Sequence, residues 1–221
     1  METTSRYADR RAAGRALGER LLTEELPDPL VLALPRGGVP VGVEVAAALR
    51  APLDVIVARK IGAPGRSELG VGALTLDGPP VFDVGLLERL GLHPDQLAAT
   101  IEAERREARR RVAAFRGDRA APAVEGRAVI VVDDGLATGV TARAAVRSLR
   151  YPPPEQWPRR LVLAVPVGSR QAVESLREEV EVVCLQTPAG FRAVGYHYRD
   201  FRQLDDEDVR DLLRAARERA R

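Results

Sequence analysis

The sequence predicts an α/β fold, a mostly parallel sheet flanked by helices with a small helical, hood-like accessory region. Three observations predict it. Short runs of valine, isoleucine and leucine alternate with helical segments along all 221 residues, the order that builds parallel sheets from β-α-β units. Val129-Ile130-Val131-Val132 is a β-branched run, which reads as a strand buried on both faces. It ends in two adjacent carboxylates, Asp133 and Asp134, ahead of a Gly- and Thr-containing turn. Ligands of open α/β sheets collect at such strand ends.

The elements follow in order. Residues 6–26 carry Ala13, Leu17, Leu21 and Leu22 at helical spacing and predict an amphipathic helix. Leu30 to Leu34 reads as a strand running into Pro35-Arg36-Gly37-Gly38, and Val41 to Arg50 as a helix packed on the sheet. Leu53 to Ala58 is a second strand, and Arg59 to Gly72 a Gly/Pro-rich loop. Val71 to Leu76 and Pro80 to Asp83 predict a hairpin around Asp77-Gly78. Residues 84–120 form a charged helical insertion, broken at Pro94-Asp95 before a long helix over Gln96 to Arg116. The helix after the acidic pair spans Ala142 to Arg150, and Pro152-Pro153-Pro154 is a stiff connector. Leu161 to Val167 is a strand, Ser169 to Glu178 a helix and Val180 to Leu185 a strand. Residues 186–204 are an aromatic-rich loop, and Asp205 caps a terminal helix reaching Arg219. A single domain over 1–221 accounts for the whole pattern.

Composition narrows the function. The net charge is only +2, too small a footprint to argue for nucleic acid. The Arg109-Arg110-Arg111 run follows Glu102, Glu104 and Glu107, so it reads as a solvated helix face laced with ion pairs. One cysteine, Cys184, excludes an internal disulfide and reads as a small core residue. No apolar stretch approaches the roughly 20 residues of a membrane span, and the charged N-terminus has no signal-peptide core. A soluble, cytoplasmic protein is expected. Asparagine is absent, and Lys60 is the single lysine among 34 basic residues. Where nearly every cation became arginine, one position kept an ammonium.

The stretch from Val129 to Thr141 suits a phosphorylated sugar. Consecutive strand residues point to opposite faces, so Asp133 and Asp134 can divide their work between ribose hydroxyls and a cation. The turn offers N–H groups at a helix start, where orphan donors and the macrodipole favour an anion. No G-x-x-x-x-G-K-[ST] loop is present. The stretch resembles the signature of type I phosphoribosyltransferases, which bind 5-phosphoribosyl 1-pyrophosphate (PRPP) on a Rossmann-like core. The resemblance implies that Asp133 and Asp134 contact ribose and Mg²⁺, and that Gly135, Leu136, Ala137, Thr138, Gly139, Val140 and Thr141 form the PRPP-binding turn. Gly135 departs from the aliphatic residue usual there.

The resemblance extends to Ala33-Leu34-Pro35-Arg36-Gly37-Gly38-Val39-Pro40-Val41 and Ala58-Arg59-Lys60-Ile61-Gly62-Ala63-Pro64, segments that mark an uncharacterised bacterial branch of the family. Arg36, Gly37 and Gly38 would hold pyrophosphate together with Lys60, the loop often having unusual backbone geometry. Arg59 and Lys60 would meet the leaving group under a mobile lid, and Glu68 either moves a proton or caps a turn. Phe191, Tyr196 and Tyr198 are candidates for stacking a planar acceptor, or they pin the C-terminal arm to the core. Val194-Gly195-Tyr196 with Asp200 is similar to purine-type members, with the spacing to the acid differing by one residue. The implied activity is transfer of the 5-phosphoribosyl group of PRPP to a nitrogenous acceptor, a nucleobase first among them, with release of pyrophosphate. The implied assembly is a homodimer. A PRPP- or nucleotide-sensing regulator is the alternative.

Overall fold

The computed structural model describes residues 6–219. The elements run α1 (Arg10–Leu21), β1 (Pro29–Ala33), α2 (Gly38–Leu49), β2 (Leu53–Val55), β3 (Ala58–Ala63), β4 (Arg66–Thr75), β5 (Val81–Phe82), α3 (Val84–Leu90), α4 (Ala98–Arg116), β6 (Ala128–Val132), α5 (Val140–Leu149), β7 (Arg160–Val167), α6 (Arg170–Arg177), β8 (Glu181–Gln186) and α7 (Asp206–Arg219). Five strands form a central sheet in the order β2-β1-β6-β7-β8, parallel throughout. The strand period of two divides β6 between two cores. Val129 and Val131 pack with Ala145 and Val146 of α5 and Leu176 of α6 on one face. Ile130 and Val132 pack with Leu17 and Leu21 of α1 and Val45 of α2 on the other. Every residue of β6 is buried, which is why the strand reads as an unbroken apolar run.

A second sheet, β3-β4-β5, is antiparallel. Its apolar face joins α3, α4 and α7 through Ile61, Leu74, Leu87, Phe115 and Leu213. The Arg59 to Gly72 segment is therefore a paired hairpin and not an irregular loop. Its glycines sit at register shifts around Ile61, Gly62 and Ala63, where bulges tolerate them. Leu53 to Ala58 splits for the same reason, since the chain leaves one sheet after Val55 and enters the other at Ala58.

Helix boundaries follow their caps. The first helix is shorter than 6–26 because Asp9 caps it, its Oδ1 accepting the Ala12 N–H at 2.7 Å. Asp205 caps α7 as expected, its Oδ1 accepting the N–H groups of Glu207 and Asp208 at 2.8 Å. The Arg-rich face of α4 is paired in part, Arg110 and Arg111 reaching Glu107 at 2.7 and 2.9 Å. Cys184 is half-buried against the first core, and burial pushes its thiol up to about 11. Among the described residues no helix is long and apolar enough to cross a membrane.

Candidate functional site

Strands β1 and β6 are neighbours in parallel register, Ala33 opposite Val132. Whatever follows each strand therefore emerges at the same sheet edge. After β1 come Arg36, Gly37 and Gly38, and after β6 come Asp133 and Asp134. The fit is close enough to demand glycine. A Cβ on Gly37 would lie 2.0 Å from Asp134 Oδ2, and one on Gly38 would lie 2.6 Å from the Val132 carbonyl. Any other residue would push the loop off the carboxylates. The Pro35–Arg36 peptide bond is cis.

The acidic pair is partly buried and held from several directions. Asp133 Oδ1 accepts the Asp134 N–H at 2.8 Å. Tyr198 donates its hydroxyl to the Asp134 carbonyl at 2.6 Å. Arg10, at the start of α1, binds Asp134 Oδ2 through Nε at 2.7 Å while its guanidinium lies 3.7 Å from the centre of the Phe201 ring. Burial, then the charge of Asp134, pushes the Asp133 carboxyl well above its ordinary value, and Lys60 is near enough to oppose that shift. Burial also raises Asp134, against the opposing pull of Arg10. Among the described residues no group of three or more His, Cys, Asp or Glu could hold a metal ion. A cation here would depend on these two carboxylates and on substrate oxygens, a donor set that suits Mg²⁺.

The turn after the acids is braced by the β7–α6 connection. The Leu136 N–H binds the Val167 carbonyl at 2.9 Å, and the Ser169 N–H binds the Leu136 carbonyl at 2.8 Å. Ser169 Oγ donates to the Ala137 carbonyl at 2.7 Å. Gly139 takes a left-handed φ of 74° and leads into α5, leaving Ala137 and Thr138 exposed in front of the helix N-terminus. The absent aliphatic side chain at Gly135 is replaced from elsewhere. A Cβ there would lie 2.7 Å from Val194 Cγ1, so the valine of the 186–204 segment fills the space.

Beside this edge the β3–β4 hairpin, α4 and α5 enclose a cavity of about 720 Å³. Pro35, Lys60, Glu68 and Thr141 reach it, and so do Arg59 and Glu104. Pro35, the lone lysine and the start of α5 thus face one space, whereas Arg36, Gly37 and Gly38 are not among its lining residues. Arg59 is not free: its Nε binds Glu104 Oε2 of α4 at 2.8 Å. Asp133 and Asp134 are not part of its wall, but Lys60, which is, lies near enough to act on the Asp133 charge.

The aromatic candidates divide. Tyr198 is only 3% exposed and packs against Tyr7 and Phe201 with ring centres 5.7 and 5.0 Å away. Burial, then the charge of Asp134, raises its phenol, which keeps it a donor. Its ring is a pin, and no face is left for an acceptor. Phe191 stacks on His197 at 5.3 Å, and Tyr196 is 59% exposed. Sequence reading missed Arg10 and Glu104. Nothing distinguishes one arginine among many by pattern, and both contacts span long chain separations.

Known proteins share this sequence and geometry. Residues 5–199 match the family model described as "Phosphoribosyl transferase domain". A Mycobacterium tuberculosis protein named "Putative phosphoribosyl transferase MT0597" is 44% identical over 208 residues, 92% of this chain and 45% of its own length. The chain thus spans about half the length of the curated relatives it matches. The crystal structure of TT1426 from Thermus thermophilus is 42% identical with a TM-score of 0.78, covering 94% of this chain and 97% of that one. A Neisseria gonorrhoeae protein solved with bound ppGpp shares the fold at 15% identity and TM-score 0.53, covering 95% of this chain and 94% of that one.

Proposed function

The chain belongs to the phosphoribosyl transferase domain family, and from that premise we propose that it transfers the 5-phosphoribosyl group of PRPP to a nitrogenous acceptor, a nucleobase first among candidates. The observation that carries the proposal is the meeting of Gly37 with Asp134 at the ends of adjacent strands, next to a cavity lined by Lys60 and Thr141. Each part has a role in one displacement. Ala137 to Thr141 receive the 5′-phosphate at the start of α5, where unpaired N–H groups and the helix dipole favour it. Asp133 and Asp134 orient the ribose hydroxyls, and they are the residues that would hold Mg²⁺, which would supply neutralisation of the pyrophosphate charge.

The acceptor nitrogen attacks the anomeric carbon as the carbon–oxygen bond to pyrophosphate breaks, with inversion. The bonding pair leaves on pyrophosphate, and Arg36, Arg59 and Lys60 stabilise the charge that grows there. Arg59 would engage through the guanidinium nitrogens that Glu104 leaves open. Glu68 is the proposed receiver of the acceptor's proton, since it faces the same cavity as Lys60. The β3–β4 hairpin tip is the proposed lid, excluding the water that would intercept an oxocarbenium-like ribose. Phe191 and Tyr196 remain the proposed stacking surfaces. The homodimer and the cytoplasmic setting belong to the same proposal.

A pyrophosphate-release screen across purine and pyrimidine bases and other nitrogen acceptors tests this reading. Release that depends on both PRPP and one acceptor class supports it. Tight PRPP binding without release under any acceptor would replace it with a sensing role.

A further inference from the structure

The far end of the parallel sheet carries a second cavity, of about 730 Å³, where α2 ends, β2 begins and α7 packs against both. Its floor is apolar, with Val43, Ala46 and Leu53 among its residues. Arg50, Arg119, Arg217 and Arg219 surround that floor. The one acid in the wall, Asp54, is already paired with Arg116 at 2.9 Å. None of the four surrounding arginines is ion-paired with a carboxylate among the described residues, although Arg116 and Arg127 nearby in sequence both are. Among the described residues Arg119 and Arg217 bind only neutral carbonyls, sharing that of Phe115 at 3.4 and 3.3 Å. Arg217 Nε is buried and has no hydrogen-bond partner among the described residues. Burial first, and then the charge of Arg119, holds its guanidinium below the ordinary value.

The backbone adds a separate observation. Arg50 ends α2 in the left-handed region at φ 51°, a conformation that favours glycine at a helix end. The chain keeps a long cationic side chain where a glycine would fit with less strain.

We infer that this cavity binds a phosphorylated small molecule with an apolar or aromatic body. Its volume lies within the range of small-molecule sites. Arginine forks match phosphate oxygens, while the floor takes the body. A cluster of unbalanced cations over low-dielectric walls also concentrates anions. The cavity shares no lining residue with the one beside Lys60, so this inference stands apart from the proposed transfer reaction.

Calorimetric titration of the intact chain tests it, with ADP as the probe for an aromatic body and octyl phosphate for an aliphatic one. Binding of at least one probe is expected. The Arg119→Gln/Arg217→Gln variant should weaken it about tenfold or more, roughly 1.4 kcal/mol. Ala47→Trp, at an exposed position in the wall, should block it with the arginines intact, and Asp134→Asn should leave it unchanged. Thermal melts matching wild type establish that the variants are folded. Failure of both probes to bind at millimolar concentration overturns the inference. Equal weakening by Asp134→Asn would assign the binding to the other site. Binding that Ala47→Trp spares would reduce it to surface charge, and either result also overturns the inference.

Discussion

Arg10 Nε lies 2.7 Å from Asp134 Oδ2, a contact between residues 124 positions apart. It ties the first helix to the carboxylate proposed to orient ribose, so α1 belongs to the site as well as to the core. The backbone of the same region is joined to the aromatic segment, with the Tyr7 N–H on the His197 carbonyl at 2.9 Å and the Arg199 N–H on the Tyr7 carbonyl at 2.8 Å. The chain before α1 and the chain after β8 therefore close over the acidic pair together.

Asp133→Asn should separate stability from binding. The Asp133 carboxyl is raised well above 3.8 by burial and by Asp134. A carboxyl raised in the folded state contributes most stability in acid, and that contribution is lost as pH rises from the unfolded value through the folded one. In metal-free buffer at pH 7 the variant should therefore melt at or above the wild-type temperature, while binding PRPP more weakly. A lower melting temperature, measured by calorimetry, would contradict the cost assigned to the buried charge.

Lys60→Ala should lower kcat for pyrophosphate release by more than it raises the Kd for PRPP. An interaction that strengthens as leaving-group charge grows belongs to the transition state. Single-turnover kinetics beside equilibrium binding give the two numbers, and equal losses would remove Lys60 from that role.

Gly135→Ala puts a Cβ 2.7 Å from Val194 Cγ1 and 3.0 Å from the Val167 carbonyl. Overpacking of this kind costs about 1–3 kcal/mol. Val194→Ala in the same chain should recover most of the loss, a coupling that a double-mutant cycle in denaturant reads directly. Additive losses would mean the two positions do not share the space.

Arg116→Met leaves the Asp54 carboxylate, 6% exposed, without its ion-pair partner at 2.9 Å. Breaking a buried pair from one side destabilises by about 3–5 kcal/mol. Denaturant unfolding should find a loss of that size, with PRPP binding by the folded fraction unchanged.

The central sheet was legible because its inner strands, β1, β6 and β7, are buried on both faces and therefore written in uninterrupted apolar runs, Val129 to Val132 above all. Asp133, Asp134, Gly37 and Gly38 were legible because a strand end and a glycine pair mark where the chain turns. The hairpin over Ala58–Ala63 and Arg66–Thr75 was hidden by its glycines, which locally look like a loop and are tolerated at bulges. The long-range partners of Arg10, Glu104 and Val194 left no local signal. These residues act across the fold, on Asp134, Arg59 and Gly135, and sequence spacing carries no information about such partners. Tyr198 was visible as an aromatic, but only its burial distinguishes a pin from a stacking surface.

Calorimetric titration of Mg-PRPP into wild type and Asp134→Asn probes the acidic pair itself. Saturable binding to wild type is expected, with at least about tenfold weaker binding to the variant, a loss of roughly 1.4 kcal/mol, and with the fold retained. Identical heats for the two proteins would remove Asp134 from the site and with it the proposed ribose-binding role of the acidic pair.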